Sequence, residues 1–257
     1  MVGARLVEAM NAAANDELWV CQLGTIPWRE ALAMQEQIRA RRQAGELPDV
    51  LLLLEHPPVY TRGRRSHAGE LTLGEDFYAA RGIEVVDTNR GGRVTYHGPG
   101  QLVGYPVMGV SDVLAHLRTI EQALVAALAQ EGIAARSRVD DGADYTGVWV
   151  GERKIASLGV HVSRGVSTHG FAVNVDNDLE PFSWVVACGL PDVQMTSLAR
   201  EIGSPARPQA TGVDCFRKRV AYTFCQEHGR RQRLVSPRRL GLDGPLAASR
   251  QRVAVPA

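Results

Sequence analysis

Hydrophobic and polar residues are spaced along this chain with two periods, and the periods mark out its elements. Leu18 to Leu23 has the texture of a short strand, and the amphipathic stretch opened by Pro27 predicts a helix to about Ala44, since proline suits a first helical turn. Val50 to Glu55 is a nearly continuous apolar run, which predicts a buried strand. His56-Pro57-Pro58 ends it, because proline supplies no ladder donor, and the Gly- and Arg-containing residues up to Ser66 read as a loop. Glu84 to Asp87 returns to strand. Between Ser111 and Gly132, the residues Val113, Leu117, Ile120, Leu124 and Leu128 recur at steps of three and four. That spacing predicts a helix, with Ser111 or Asp112 placed to cap it and Gly132 to end it. Beyond it the period shortens: Gly147 to Val150, Ile155 to Val162 and Phe171 to Val175 are β-rich runs joined by small polar turns, the pattern of a sheet meander. A further helix is predicted over Val213 to His228.

Helices interspersed with an antiparallel-looking meander argue for an α+β fold, a mainly antiparallel sheet flanked by helices, rather than a doubly wound parallel one. Residues 1–228 read as a single domain. Residues 229–257 carry seven arginines against Asp243 among Pro, Gly and Ala, which predicts a flexible basic tail. The whole chain has 257 residues, 45% of them hydrophobic, enough for a substantial core. Its 29 basic and 28 acidic residues nearly cancel, so no global field is available to hold a nucleic-acid backbone. Cysteines 21, 188, 215 and 225 lack CxxC spacing, which suits reduced thiols in the cytoplasm. Met1 to Ala14 lacks the charged and apolar regions of a signal peptide, and no segment reaches the ~20 apolar residues of a membrane span. A cytoplasmic protein with no membrane partner is expected. No HxxxH or Cys/His set points to a metal.

Three segments carry chemistry. Arg90-Gly91-Gly92-Arg93-Val94-Thr95-Tyr96-His97-Gly98-Pro99-Gly100-Gln101 concentrates small and rigid residues around Thr, Tyr, His and Gln, which allows backbone to approach a ligand closely. It matches neither a P-loop nor a dinucleotide fingerprint. Gly151 to Val160 delivers Lys154 onto an otherwise apolar strand; on period two, Lys154, Ala156, Leu158 and Val160 share one face. Ala187-Cys188-Gly189-Leu190-Pro191 is a loop in which the glycine leaves room beside the thiol. Taken alone, Cys188 reads as packing and Lys154 as a solvated charge.

The four stretches RGGRVTYHGPGQLVGYP, GERKIASLGVHV, THGFAVNV and ACGL, in that order, resemble the lipoyl(octanoyl) transferase family. The resemblance runs from about Leu51 through Ala199 and includes EHPPVYTRGRRS. It implies a fold shared with lipoate and biotin protein ligases. It also implies transfer of an octanoyl group from acyl-carrier protein, through a cysteine thioester, to a lysine of lipoyl domains, the first step of protein lipoylation. The acceptors would be E2 subunits of 2-oxoacid dehydrogenases and the glycine cleavage H protein. Position by position, Cys188 becomes the nucleophile and Lys154 its partner. The acyl pocket falls on Arg90, Gly91, Gly92, Arg93, Val94, Thr95, Tyr96 and His97, on Ser157, Leu158 and Gly159, and on Gly170, Phe171 and Ala172. The acidic stretch Asp140 to Thr146 and the Arg-rich tail fall outside the family pattern.

A free thiol, with a pKa near 8.5, is only a few per cent thiolate at neutral pH, so a lysine beside it serves either as a positive charge or as a base. Both protonation schemes are compatible with the sequence. A thioester keeps the acyl group activated, so no nucleotide, metal or other cofactor is required. Backbone N–H groups near Gly189 or in the Gly91-Gly92 turn are candidate oxyanion donors. Ala156, Leu158, Phe171 and Val173 are candidates to line the acyl slot, His97 is assigned to positioning, and Arg62, Arg64, Arg65 and Arg93 are candidate docking charges for acidic partners. Two other readings compete: an ATP-dependent ligase of the same fold, and a non-catalytic acyl-binding scaffold in which Lys154 and Cys188 lie apart.

Overall fold

A computed structural model describes residues 16–190, 193–203 and 212–242. In chain order its elements are β1 (Glu17–Thr25), α1 (Trp28–Gln43), β2 (Asp49–Glu55), β3 (Val59–Arg62), α2 (Glu75–Ala79), β4 (Glu84–Asp87), β5 (Thr95–His97), β6 (Gln101–Val107) and α3 (Val113–Ala129). There follow β7 (Arg136–Ser137), β8 (Gly147–Val150), β9 (Arg153–Ser163), β10 (Val166–Asn174), β11 (Gln194–Met195), α4 (Leu198–Ile202), α5 (Val213–Glu227) and β12 (Arg231–Leu234). The large sheet runs β12-β1-β2-β6-β10-β9-β8-β7, with β11 beside β9, and a small sheet runs β4-β3-β5. Pairing is parallel at the β12-β1-β2 end and antiparallel from β2 onward to β7. This is an α+β fold with a mixed sheet.

Two apolar layers hold it together. Leu51 and Leu53 of β2 join Leu102, Val173, Ile120, Leu124 and Phe216 in one core, under α3 and α5. The alternate residues Val50, Leu52 and Leu54 join Ala31, Ile38, Val103 and Tyr105 in the other, under α1. A strand covered on both faces has no polar side to show, which is why β2 is almost uninterruptedly aliphatic. Asp112 caps α3, its carboxylate accepting from the N–H groups of Leu114 and Ala115 at 2.8 and 3.0 Å. A third cluster, with Tyr60, Tyr78, Val94, Tyr96, Phe182 and Ala187, packs the small sheet against the 182–187 segment.

Three expectations change. Val59 to Arg62 is a strand, not loop: after the two prolines, Val-Tyr-Thr pairs with β4 in parallel and β5 in antiparallel register. Those partners lie far off in sequence, beyond the reach of local pattern. The expected domain end at 228 falls inside packed structure, since Arg231 to Leu234 pairs with Glu17 to Val20 and Leu240 is fully buried. Residues 243–257, the rest of the expected tail, lie outside the described residues. Finally, β9 does not keep period two at its start: Val148 faces Ala156 and the next residue, Trp149, faces Lys154, so Ile155 is a bulge. A bulge inserts one residue and re-aims its neighbours. Among the described residues no helix is long and apolar enough to cross a membrane.

Candidate active site

A cavity of about 290 Å³ is lined by β6, β9 and β10, by the 90–97 segment, and by the starts of α1 and α3. Ligand pockets commonly hold about 300 to 1,000 Å³, so this one suits a slender guest. Of the sequence-predicted residues, Arg90, Gly91, Gly92, Arg93, Thr95, His97, Lys154, Ser157, Leu158, Gly159, Gly170, Phe171 and Ala172 line it. Val94 and Tyr96 point the other way, into the small sheet's core. Ala156 and Val173 belong to the core under α3, so of the four proposed slot residues only Leu158 and Phe171 reach the cavity.

The bulge at Ile155 decides where Lys154 goes. Its side chain runs over Gly147, where a Cβ would stand 2.7 Å from Lys154 Cε. Gly147 is the cross-strand partner of Ser157, so the lysine lies on the Ser157 side of the sheet rather than with Ala156. Its Nζ sits 5.2 Å from the centroid of the Trp149 ring, and the residue is 1% exposed. In its charged form, a lysine head group above an indole face gains a cation–π attraction that partly replaces lost hydration.

The 90–97 segment is stitched to the cavity from several directions. The Gly91 N–H donates to Val160 O at 3.0 Å, and a Cβ at Gly159 would stand 2.6 Å from Gly91 O. Only glycine at 159 lets the loop come so close. This contact also uses the Gly91 N–H, removing it from the candidate oxyanion donors. Arg90 donates to Thr61 O at 2.6 Å, Gly91 O at 3.0 Å and Arg93 O at 2.8 Å, so a buried guanidinium organises the loop's carbonyls. The Thr95 hydroxyl is buried without a hydrogen-bond partner among the described residues. Facing the cavity, it is available to a ligand carbonyl.

His97 is held by Gln101, which fixes its tautomer, and by the Thr61 hydroxyl, 3.4 Å from its Nε2. Gln101 donates its amide N–H to Tyr96 O and Asn174 Oδ1, which leaves Gln101 Oε1 to accept from His97 Nδ1–H at 2.8 Å. Burial first, then the neighbouring His56 and Arg90, push the imidazole pKa well below its usual value. A neutral, doubly anchored ring suits positioning rather than base catalysis. His169 also lines the cavity, at a positive φ of 58°. Its N–H donates to Gln35 Oε1 at 2.7 Å, its Nε2 meets Asn89 Oδ1 at 2.7 Å, and its ring stacks on Trp28. Burial holds its pKa down to about 3. Trp28, Tyr105 and Leu114 line the cavity too. No local pattern singled them out, because each looks like ordinary core or helix surface in sequence.

Cys188 lies in a turn over Ala187–Gly189, whose backbone is described; its side chain lies outside the described residues. The turn is placed by Val186 N–H to Glu70 O at 2.9 Å before it and, after it, by β11, whose Met195 pairs with Lys154 itself. A Cβ at Gly189 would stand 2.1 Å from Arg93 Cδ, so the turn abuts a cavity-lining side chain. The other cysteines are elsewhere. Cys21 and Cys225 are buried in the two cores, where burial pushes both thiols up to about 12, and Cys215 is exposed on α5.

The proposed docking charges are largely spoken for within the chain. Arg62 forms a two-pronged pair with Asp87 at 2.7 and 3.0 Å, and Arg93 reaches Glu70 at 2.9 Å. Arg65 meets Asp144 at 3.1 Å, so the unexpectedly acidic 140–146 stretch neutralises basic side chains at the cavity mouth. Arg64 is exposed.

Comparison with known proteins shows the family and the fold. The family model described as the lipoyl protein ligase A/B catalytic domain matches residues 27–225. An octanoyltransferase of Solibacter usitatus is 51% identical over 182 residues, covering 69% of this chain and 80% of its own length. An octanoyltransferase of Mycobacterium tuberculosis H37Rv is 43% identical over 212 residues, covering 80% and 85%. Among solved structures, lipoate-protein ligase A bound with ATP superposes with a TM-score of 0.70 at 21% identity, over 88% of this chain and 92% of its own. A putative lipoate protein ligase from T. acidophilum with bound lipoic acid also gives 0.70, at 22% identity over 86% and 89%. At such identities these structures speak for the fold alone.

Proposed function

This chain belongs to the lipoyl(octanoyl) transferase family and is an octanoyltransferase of protein lipoylation, and from that premise we propose that Cys188 carries the octanoyl group and Lys154 handles the protons. The observation that supports this most is the pairing of β11 with β9, which brings the strand following the Cys188 turn alongside Lys154, itself a cavity-lining residue. In the first half-reaction the Cys188 thiolate attacks the donor's thioester carbonyl. The carrier's sulfur leaves and takes a proton from the Lys154 ammonium. In the second, a lysine amine of the acceptor attacks the acyl-enzyme, the C–N bond forms, the C–S bond breaks, and the neutral Lys154 amine receives the proton that nitrogen sheds. No nucleotide enters, because the thioester is already activated.

The donor on this reading is octanoyl-acyl-carrier protein, and the acceptors are lipoyl domains of 2-oxoacid dehydrogenase E2 subunits and the glycine cleavage H protein. The octanoyl tail occupies the apolar slot beside Leu158, Phe171 and Ala172. Thr95 Oγ1, buried without a hydrogen-bond partner among the described residues, stands ready for charge developing on the carbonyl oxygen.

Mass spectrometry of the chain incubated with octanoyl-acyl-carrier protein should find one hydroxylamine-labile octanoyl adduct, on Cys188, absent from Cys188→Ser. An adduct on Cys21, Cys215 or Cys225 overturns the assignment. Octanoylation of a lipoyl domain by Cys188→Ser with octanoate and ATP would favour an adenylating ligase instead.

A further inference from the structure

An enzyme that delivers acyl groups to lysine must avoid delivering them to itself. Of the 29 basic residues in this chain only two are lysine, Lys154 and Lys218; all others are arginine. Lys218 is exposed on α5, whose residues form no part of the cavity wall. The basic residues that do line the cavity are Arg65, Arg90, Arg93 and Lys154.

The two cations differ in the property that matters here. A lysine amine loses its proton near pH 10.4, so a fraction of it is always a free nucleophile, whereas a guanidinium stays protonated above pH 12 with its lone pairs delocalised. Both can hold a carboxylate. Only one can accept an acyl group.

Position makes the difference large. Arg93 packs against Gly189, next to the residue that carries the acyl group on the reading above, and Arg65 shares the Asp144 carboxylate with it, at 3.1 Å against 3.9 Å for Arg93. A lysine at either place would be tethered beside the thioester at an effective concentration on the order of millimolar or more, above that of a diffusing protein acceptor. Lys154 escapes the same fate by being held down. It is 1% exposed, its stem lies close over Gly147, and its Nζ sits 5.2 Å from the centroid of the Trp149 ring.

We propose that the arginine collar of the cavity is a safeguard against self-acylation: Arg65, Arg90 and Arg93 supply cationic charge in a form that cannot take the octanoyl group, so the acyl-enzyme is discharged only by the lysine of a second protein. The reaction it prevents is simple aminolysis. A collar amine would attack the thioester carbonyl, a C–N bond would form, the C–S bond would break, and the departing Cys188 sulfur would take the nitrogen's proton. The product, an amide, would inactivate that enzyme molecule permanently.

The inference rests on the acyl-thioester reading, and the test separates the two. Full-length parent, Arg65→Lys, Arg93→Lys and, as a distance control, Arg219→Lys on α5 are incubated with octanoyl-acyl-carrier protein without acceptor. Intact masses are read before and after hydroxylamine, which strips thioesters and spares amides. The parent should carry a labile octanoyl group only. Arg65→Lys, half-exposed and therefore tolerant of substitution, and Arg93→Lys should in addition accumulate a hydroxylamine-stable octanoyl group, mapping to residue 65 or 93, at least tenfold faster than Arg219→Lys. Labile loading of both collar variants without stable modification overturns the safeguard while leaving the thioester reading intact. So does equal stable modification of Arg219→Lys. A parent that takes no labile adduct overturns the thioester reading and the safeguard together.

Discussion

Gly147→Ala tests whether the local backbone aims Lys154. At Gly147, φ is +144°, and an added Cβ would stand 2.5 Å from Ala156 O, 2.7 Å from Lys154 Cε and 3.3 Å from its Nζ. The backbone cannot easily retreat, because the Gly147 N–H donates to the buried Glu121 carboxylate at 2.7 Å and the residue pairs with Ser157. An L-residue in such a conformation costs about 1–3 kcal/mol, and forcing a methyl into packed space costs another ~1–3 kcal/mol, so the variant should lose about 2–6 kcal/mol of stability. Chemistry should suffer separately. Pushing the lysine stem aside by about 1 Å should slow transfer on the order of 100-fold, or roughly 3 kcal/mol of barrier. Gly151→Ala is the matched control: it sits in the same hairpin at φ +57° with nothing within 4 Å of its would-be Cβ. It should cost about 1–2 kcal/mol of stability and leave the rate alone. Urea midpoints give the first quantity, and single-turnover octanoyl transfer to a lipoyl domain, normalised to folded enzyme, gives the second. Parental rates in folded Gly147→Ala, or an equal rate loss in Gly151→Ala, would refute the aiming argument.

Buried imidazoles make stability depend on pH. Burial holds His56 and His116 at about 4 and His169 at about 3, against an ordinary value of 6.5, while His97 is pushed well below it. The unfolded chain therefore binds more protons below 6.5, so this stability is complete above that pH and is lost as pH falls toward 4. At about 1.4 kcal/mol per pH unit for each group, the urea midpoint should drop steeply between pH 6.5 and 4.5, and His116→Gln, outside the cavity, should flatten the slope. A midpoint constant over that range would contradict the burial argument. Glu121→Gln weakens the acceptor of the Gly147 N–H and of Ser137 Oγ at 2.6 Å, and should cost about 1.5–3 kcal/mol; an unchanged midpoint would show that the carboxylate's charge adds nothing there.

Much of the site was legible because its signals are local. Four ordered motifs marked the 90–97, 157–159 and 170–172 segments, and all but Val94 and Tyr96 of those residues line one cavity. Those two were wrongly assigned to the pocket because strand alternation turns every other residue of the 94–97 run into the small sheet's core. Trp28 and Tyr105 left no trace, since a cavity wall assembled from α1, β6 and β10 has no sequence period of its own.

The sequence by itself determined the elements with strong periodicity, α3 above all, because hydrophobic spacing is a property of neighbouring residues; the reaction class was what the resemblance of its four ordered motifs implied. Tertiary structure decided what depends on distant partners. It turned Val59 to Arg62 into a strand between β4 and β5, and it drew residues 231–242 into the fold beside β1. It also moved Lys154 to the other face of β9. Period two predicted the Ala156 face; one unpaired residue, Ile155, reversed it. A bulge is a mismatch in length between two paired strands, so it exists only once the strands have met, and neither strand alone announces it.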